Sequence, residues 1–167
     1  MTMPPLTALE FRRALGHFST GVTVVTVERE PGLVHGMTAN SFTSVSLDPM
    51  LILVCVDQRA RMLPLLHQRK RFGISVLKEG QEAISEYFAK SEQNAEVEQR
   101  LSIRYRWTPA GIPVLEDTLL HLTCNLAASH IAGDHTIFVG EVESAAVQEG
   151  EPLLFFRGEY RSTARPT

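Results

Sequence analysis

The spacing of apolar residues changes from helical to alternating within the first 25 residues of the chain. Apolar side chains recur at helical spacing from Leu9 to Phe18, with Thr7 placed to cap the helix and Glu10 three residues later. This pattern predicts a short amphipathic helix over about 7–18. From Gly21 onward, valines alternate with threonines, and this pattern predicts a strand because β-branched residues favour extended backbone.

Strand patterns dominate the rest of the sequence. Further strands are predicted at Gly36–Val45, Met50–Val56, Arg71–Leu77, Leu119–Ala128, Thr136–Val147 and Leu153–Tyr160. Helices are expected only after Asp57 and within the Glu- and Gln-rich stretch 79–104, and a loop is expected at 107–113. Six or more antiparallel strands without βα alternation favour a mainly β fold, a closed Greek-key barrel with a few peripheral helices.

Length and composition narrow the function classes. The 167 residues suggest a single domain over 1–167, with the barrel over about 20–161. A net charge of −3 disfavours a nucleic-acid partner, because binding to a phosphate backbone needs a strong positive field. The longest apolar run, Met50 to Val56, is far shorter than the roughly 20 residues of a membrane-spanning helix. The N-terminal segment has no secretory pattern, so we expect a cytoplasmic protein that does not cross a membrane.

Short hydroxyl side chains are concentrated between His35 and Asp48. Together with nearby backbone N–H groups they could hold a phosphate or a polyol, or they could be the solvated face of an edge strand. Basic residues follow the Met50–Val56 strand, including Arg59 and Arg61. Most of these form a solvated face in one interpretation, whereas in the other a single arginine at the strand end is aimed at an anionic ligand.

The remaining motifs exclude more chemistry than they indicate. The six histidines form no metal-binding pattern, so no metal site is predicted. The sequence contains no dinucleotide-binding or P-loop glycine motif and no nucleophilic serine motif, and Cys55 and Cys124 are interpreted as reduced core thiols. His135 lies in a Gly-Asp-His turn before a strand, where its imidazole either points into a cavity or faces water.

Several segments, in this order along nearly the whole chain, resemble the short-chain flavin reductase family, the reductase components of two-component monooxygenases. They are Phe11–Gly16 with Gly21–Thr26, Thr38–Phe42 with Val45–Pro49, Arg71–Leu77, Gly111–Leu115, Gly133–His135 with Gly140–Val142, and Pro152–Leu154 with Gly158–Tyr160. The resemblance implies an FMN-binding split barrel, usually a homodimer with flavin sites near the interface. It also implies hydride transfer from NADH or NADPH to FMN, FAD or riboflavin, and delivery of reduced flavin to a partner monooxygenase.

The resemblance also assigns roles to individual residues. The residues implied to bind the flavin are Thr38, Ala39, Asn40 and Ser41 along its length, Ser44 and Val45 near its rings, Cys55, Val56 and Asp57 near the ribityl phosphate, and Phe88 and Lys90 closing over it. His135 is implied to be catalytic on the nicotinamide side, where it orients the nicotinamide or assists protonation, and Tyr160 borders the same space.

One loop departs from the family pattern. Many relatives carry Ser-x-Thr after the second barrel strand, whereas this chain has Ala60-Arg61-Met62. We therefore predict that Arg61, with backbone N–H groups, makes more of the phosphate contact. Two alternatives stay open: a non-catalytic carrier or sensor that binds flavin or haem on the same barrel, and an activity like that of pyridoxine-phosphate oxidase, for which we find no sufficiently basic phosphate site.

Overall fold

The computed structural model describes residues 5–163, and strands dominate it. The helices are α1 Ala8–Leu15, α2 Met62–Arg69, α3 Glu82–Phe88 and α4 Ala95–Arg100. The strands are β1 Thr20–Gly21, β2 Thr23–Glu30, β3 Leu33–Ala39, β4 Phe42–Leu47, β5 Met50–Asp57, β6 Arg71–Val76, β7 Tyr105–Trp107, β8 Pro113–Leu115, β9 Leu120–Ala132, β10 His135–Val147, β11 Leu154–Phe156 and β12 Glu159–Arg161. The prediction of a mainly β protein with few helices is confirmed.

The predicted N-terminal helix forms, with its capping box in place. The Thr7 hydroxyl accepts from the Glu10 N–H at 3.3 Å, and the Glu10 carboxylate accepts from the Thr7 N–H at 2.9 Å. The helix ends at Leu15 and buries none of its residues. Its apolar side, with Leu9 and Leu15 each 57% exposed, therefore faces solvent in the single chain.

Seven antiparallel strands form the main sheet in the order β3-β2-β6-β9-β10-β5-β4. The edge strands β3 and β4 follow one another in the chain but do not pair, so the expectation of a closed barrel is wrong. The predicted single strand Gly36–Val45 is divided at Asn40–Ser41 for the same reason. Its first half pairs with β2, as in Thr23 opposite Ala39, and its second half pairs with β5, as in Phe42 opposite Val54.

Three other segments contain more secondary-structure elements than the sequence pattern predicted. The run 153–160 is a hairpin of β11 and β12, and the chain reverses at Arg157 and Gly158, both at positive φ. The helical stretch 79–104 contains two short helices, α3 and α4, with a loop between them. The loop 107–113 is the turn of a small β7–β8 hairpin. In the described part of the chain no helix is long and apolar enough to span a membrane.

Two apolar clusters lie on opposite faces of β2. The barrel interior is filled by side chains such as Val25, Phe72 and Phe138, with Met62 and Leu66 of α2 covering it. The second cluster lies outside the sheet and contains Val22, Val24, Leu77, Tyr87, Phe88, Leu115 and Leu153. Residues 23–27 are buried on both faces for this reason. The second cluster seats α3 beside β3, and this placement forms one wall of the site described next.

Candidate functional site

A cleft of about 510 Å³ opens where β3 and the end of β5 diverge; we call it the polar cleft. Three elements line it: β3, the loop after β5, and the segment after α3. Its lining residues are His35, Gly36, Met37, Thr38, Asp57, Arg59, Ala60, Arg61, Met62, Phe88, Ala89, Lys90 and Ser91. The cleft brings together Thr38, Asp57, Arg61, Phe88 and Lys90, five of the residues singled out from the sequence. Three cationic side chains and one carboxylate therefore share a single opening.

The carboxylate and one of the cations neutralise each other. Arg59 donates to Asp57 through Nε at 3.1 Å and Nη2 at 2.8 Å, and its backbone N–H donates to the same carboxylate at 2.8 Å. These bonds from Arg59 hold the pKa of Asp57 well below its usual range. Arg61 has no ion pair among residues 5–163, and its Nη1 donates across the cleft to the Ser91 carbonyl at 3.1 Å. Arg61 therefore keeps an uncompensated charge at the opening.

A second cleft, of about 620 Å³, lies on the outer side of β4 and β5; we call it the apolar cleft. It is lined by Phe18, Ser19, Thr20, Gly21, Thr23, Asn40, Ser41, Phe42, Thr43, Leu53, Cys55 and Val76. The Ser41 hydroxyl donates to the Cys55 carbonyl at 3.0 Å and accepts from the Cys55 N–H at 3.2 Å. Burial raises the pKa of the Cys55 thiol. The thiol is therefore neutral near pH 7, and it presents an uncharged surface beside Leu53.

Residues of β3 and β5 that lie between the two clefts are fixed by burial in the core or by hydrogen bonds. Ala39 and Val56 point into the barrel core and are 8% and 0% exposed. The Thr38 hydroxyl donates to the Ser85 carbonyl at 2.7 Å, so toward the cleft it has only lone pairs and can only accept hydrogen bonds. Because Thr38 lines the polar cleft and Asn40 the apolar cleft, the β3–β4 junction runs from one cleft to the other.

Besides Ala39, Val56 and His135, three more residues named from the sequence line neither cleft. Ser44 and Val45 lie on β4 and are exposed to solvent. The Tyr160 hydroxyl donates to the Ser85 side chain at 2.8 Å, which places Tyr160 against α3 in the outer apolar cluster. The roles of Ser44, Val45 and Tyr160 therefore stay predictions that the arrangement within one chain does not support directly.

His135 begins β10 directly opposite Asp57 of β5. Its Nδ1 lies 2.7 Å from a carboxylate oxygen of Asp134, and this bond lowers the pKa of Asp134. The His135 side chain is 43% exposed, so it lies beside the polar cleft without lining it. With Nδ1 donating to Asp134, Nε2 is the ring nitrogen that faces other partners. Among residues 5–163 no group of three or more His, Cys, Asp and Glu side chains could hold a metal ion.

Two residues in and around the polar cleft were not identified from the sequence. His35 is only 7% exposed, and burial, followed by the charges of Arg29 and Arg61, lowers the pKa of its imidazole. The sequence signal for a buried His35 was its position directly before the predicted strand Gly36–Val45. Gln93 bonds to the backbone of Gly36, 57 residues away in the chain. No sequence signal could reveal that contact, because it depends on how α3 packs against β3.

The sequence of this chain matches a protein family and several named proteins. Residues 15–164 match the family described as flavin reductase like domain. An NADH-dependent flavin reductase of Rhodococcus is 45% identical over 161 residues, which cover 95% of this chain and 88% of that protein. The reductase component of 4-hydroxyphenylacetate 3-monooxygenase of Thermus thermophilus is 38% identical over 162 residues, covering 94% and 97%.

A solved structure extends the likeness to three dimensions. The NADH:FAD oxidoreductase SgcE6 of Streptomyces globisporus, solved in complex with NAD and FAD fragments, superposes with a TM-score of 0.86 at 38% identity. The match covers 99% of this chain and 98% of that one. The fold of this chain thus occurs in a protein that is similar in sequence as well as in shape. The chain belongs to the flavin reductase like domain family.

Proposed function

We propose that this protein is an NADH-dependent flavin reductase that uses FMN or FAD and supplies reduced flavin to a partner monooxygenase. The Rhodococcus and Streptomyces relatives are named for NADH and flavin, and the Thermus relative is named as a monooxygenase component. These names support oxidoreductase chemistry with a flavin and a nicotinamide. They also favour NADH over NADPH, which the sequence alone left open.

The observation that carries the proposal is the pair of clefts of opposite character joined by the β3–β4 junction. A flavin nucleotide is apolar and planar at one end and anionic at the other. The apolar cleft, with Phe42 and Leu53, suits the ring system, and the polar cleft, with Arg61 and Lys90, suits the phosphate. The residues present therefore fit this cofactor, and Arg61 compensates for the missing Ser-x-Thr hydroxyls.

When bound, the flavin accepts a hydride from the reduced nicotinamide. The chain's own residues provide binding, orientation and a partly dry site. Arg61 and Lys90 hold the anionic end, and the Thr38 hydroxyl accepts a hydrogen bond from the ligand. The neutral Cys55 thiol lies in the apolar cleft, at the ring end rather than the phosphate end that the resemblance implied, and there it helps to exclude water from the ring system. His135, fixed through Nδ1 by Asp134, orients the nicotinamide or holds a proton at Nε2.

We further propose that the protein is a single-domain cytoplasmic homodimer. The exposed apolar surface of α1 and of the segment after it supports a second copy, since Phe11 on the helix is 52% exposed and Phe18 after it is 76% exposed. Phe18 also lines the apolar cleft, so a second copy seated there would help to enclose the cofactor. Sedimentation of the purified protein tests this point: a monomer at micromolar concentration would contradict it.

Steady-state NADH oxidation with FMN, FAD and riboflavin in turn tests the reductase function. We expect turnover that depends on added or bound flavin and that is slower with NADPH. The absorbance spectrum of the purified protein is the second readout. A tightly held flavin or haem spectrum without NADH oxidation would favour the non-catalytic carrier or sensor instead.

A further inference from the structure

Among residues 5–163, one side chain bonds the backbone of the edge strand β3 on its outer side. β3 is the last strand of its sheet, so its outward N–H and C=O groups have no strand partner. At Gly36 the Gln93 amide replaces that partner. Its Nε2 donates to the Gly36 carbonyl at 2.6 Å, and its Oε1 accepts from the Gly36 N–H at 3.1 Å. We call this pair of bonds the Gln93 clasp.

Gly36 also fixes the helix that precedes the clasp. A Cβ atom at Gly36 would lie 2.4 Å from the Phe88 ring, so only glycine lets Phe88 pack this closely against the strand. Phe88 is the last residue of α3 and is 1% exposed. At the other end of the loop that follows α3, the Asn94 N–H donates to the Tyr87 hydroxyl at 2.8 Å, and Asn94 caps α4. Both ends of the loop 89–93 are therefore anchored, with the clasp at its second end.

The middle of this loop is held more weakly. Ala89, Lys90 and Ser91 line the polar cleft, and Lys90 and Ser91 are exposed. Their contact across the cleft is one exposed hydrogen bond, from Arg61 to the Ser91 carbonyl. A single exposed hydrogen bond contributes little to holding a loop, because water competes for both of its partners. The position of the Lys90–Ser91 wall thus depends on its two anchors. These are the end of α3, where the Lys90 N–H donates to the Tyr87 carbonyl at 3.1 Å, and the Gln93 clasp.

We propose that Gln93 is a positioning residue that sets how long the flavin stays bound, because its clasp holds the Lys90–Ser91 wall over the phosphate end of the polar cleft. This inference rests on the proposed function, in which reduced flavin must leave the reductase to reach its partner. A firm clasp slows dissociation, and each opening of the clasp frees the wall. Gln93 touches the backbone of β3 and the loop, and it has no place in hydride transfer itself.

Three variants of the whole chain test the clasp. Gln93→Met keeps the side-chain length and removes both bonds, whereas Gln93→Glu keeps the acceptor for the Gly36 N–H and loses the donor. Gln99→Met, on the exposed face of α4, is the matched control because its side chain makes no hydrogen bond among the described residues. Three quantities are measured: FMN dissociation by stopped-flow fluorescence, the single-turnover rate of NADH oxidation at saturating FMN, and hydrogen exchange of segment 89–94 in flavin-free protein.

We expect Gln93→Met to release FMN about tenfold faster, with Gln93→Glu intermediate and Gln99→Met unchanged. Segment 89–94 of the flavin-free Gln93→Met protein should exchange faster, while its single-turnover rate stays within about twofold of the unsubstituted protein. A dissociation rate within about twofold of the unsubstituted value, with or without a lower melting temperature, would overturn the role. If the unsubstituted protein binds no FMN, the proposed function fails. The clasp is then tested by hydrogen exchange alone, and unchanged exchange of segment 89–94 in Gln93→Met would overturn it.

Discussion

The polar cleft and the apolar cleft share the β3–β4 junction but are built in different ways. Two walls of the polar cleft come from loops that side chains hold in place: Asp57 holds Arg59, and the bonds of Gln93 to Gly36 of β3 hold the segment after α3. The lining of the apolar cleft comes mostly from neighbouring positions on paired strands, such as Leu53 and Thr43. On the proposed function, we therefore expect selectivity for the anionic end of the flavin to depend on a few separate contacts, and affinity for its rings to depend on the sheet.

The largest expected effect tests whether the outer apolar cluster supports the polar cleft. Phe88→Ala should cost about 3–5 kcal/mol of unfolding free energy, because it leaves a cavity beneath the cleft wall. FMN binding should fall more than riboflavin binding. Phe72→Ala, in the barrel interior, is the matched control with a similar loss of stability. Denaturant unfolding and flavin titration measure both effects. If the ratio of FMN affinity to riboflavin affinity were equal in Phe88→Ala and Phe72→Ala, the outer apolar cluster would not support the polar cleft.

Arg61→Ala tests the polar cleft directly. Removing a charged hydrogen bond to phosphate should weaken FMN binding by about 1.5–3 kcal/mol, roughly 10- to 150-fold. Riboflavin, which lacks the phosphate, should bind within about twofold of its usual affinity. Arg59→Ala is the control, since its guanidinium is already bonded to Asp57. If Arg61→Ala left the FMN dissociation constant within about twofold, Arg61 would not be the phosphate contact.

His135 lies outside both clefts, so its substitution should slow flavin reduction more than it weakens FMN binding. We expect His135→Ala to slow NADH-dependent flavin reduction by at least about tenfold, because the side chain that orients the nicotinamide or carries a proton is lost. The dissociation constant for FMN should change by less than about twofold. Stopped-flow reduction and flavin titration on the same preparation give the two numbers. Equal losses in both would place His135 in the flavin site instead.

Leu53→Ala tests the apolar cleft. Leu53 is half-buried on the outer face of β5, so removing its side chain should weaken ring binding by about 1 kcal/mol. FMN and riboflavin should lose affinity equally, since they share the same rings. Isothermal titration with both ligands measures this. A loss confined to FMN would mean that the two clefts do not divide the ligand as we propose.

The smallest effect concerns the Asp57–Arg59 pair at the mouth of the polar cleft. Bonding to Arg59 lowers the pKa of Asp57 in the folded protein, so the pair favours folding above the unfolded pKa of about 4. That contribution is lost as the pH falls from about 4 through the folded pKa. In Arg59→Ala the pKa of Asp57 should rise toward its usual value, and the melting temperature should fall less between pH 4 and pH 2. Carboxyl NMR titration and thermal unfolding at several pH values measure the change.

Local patterns predicted the elements well where one contact or one periodicity decides them. The capping box of Thr7 and Glu10 needs only a spacing of three residues, and it formed as expected. The continuous apolar run Met50–Val56 and the alternating pattern of Arg71–Leu77 also placed β5 and β6 closely. The failures fell where the partner strand matters. The chain reverses at Arg157–Gly158 within a predicted strand, and the predicted strand Gly36–Val45 divides so that its halves can pair at opposite edges of the sheet.

The candidate site shows the same division. Ordered segments identified from the sequence supplied the family, and the resemblance named eight of the residues that line the two clefts, including Thr38, Ser41, Cys55 and Arg61. The sequence thus determined which chemistry is present, because residue type and short-range spacing fix charge, hydrogen-bonding capacity and local backbone. Only the tertiary structure decided that Asp57 neutralises Arg59 rather than Arg61 and that Gln93 bonds to Gly36. Those contacts depend on how an open sheet, a helix and a loop pack together.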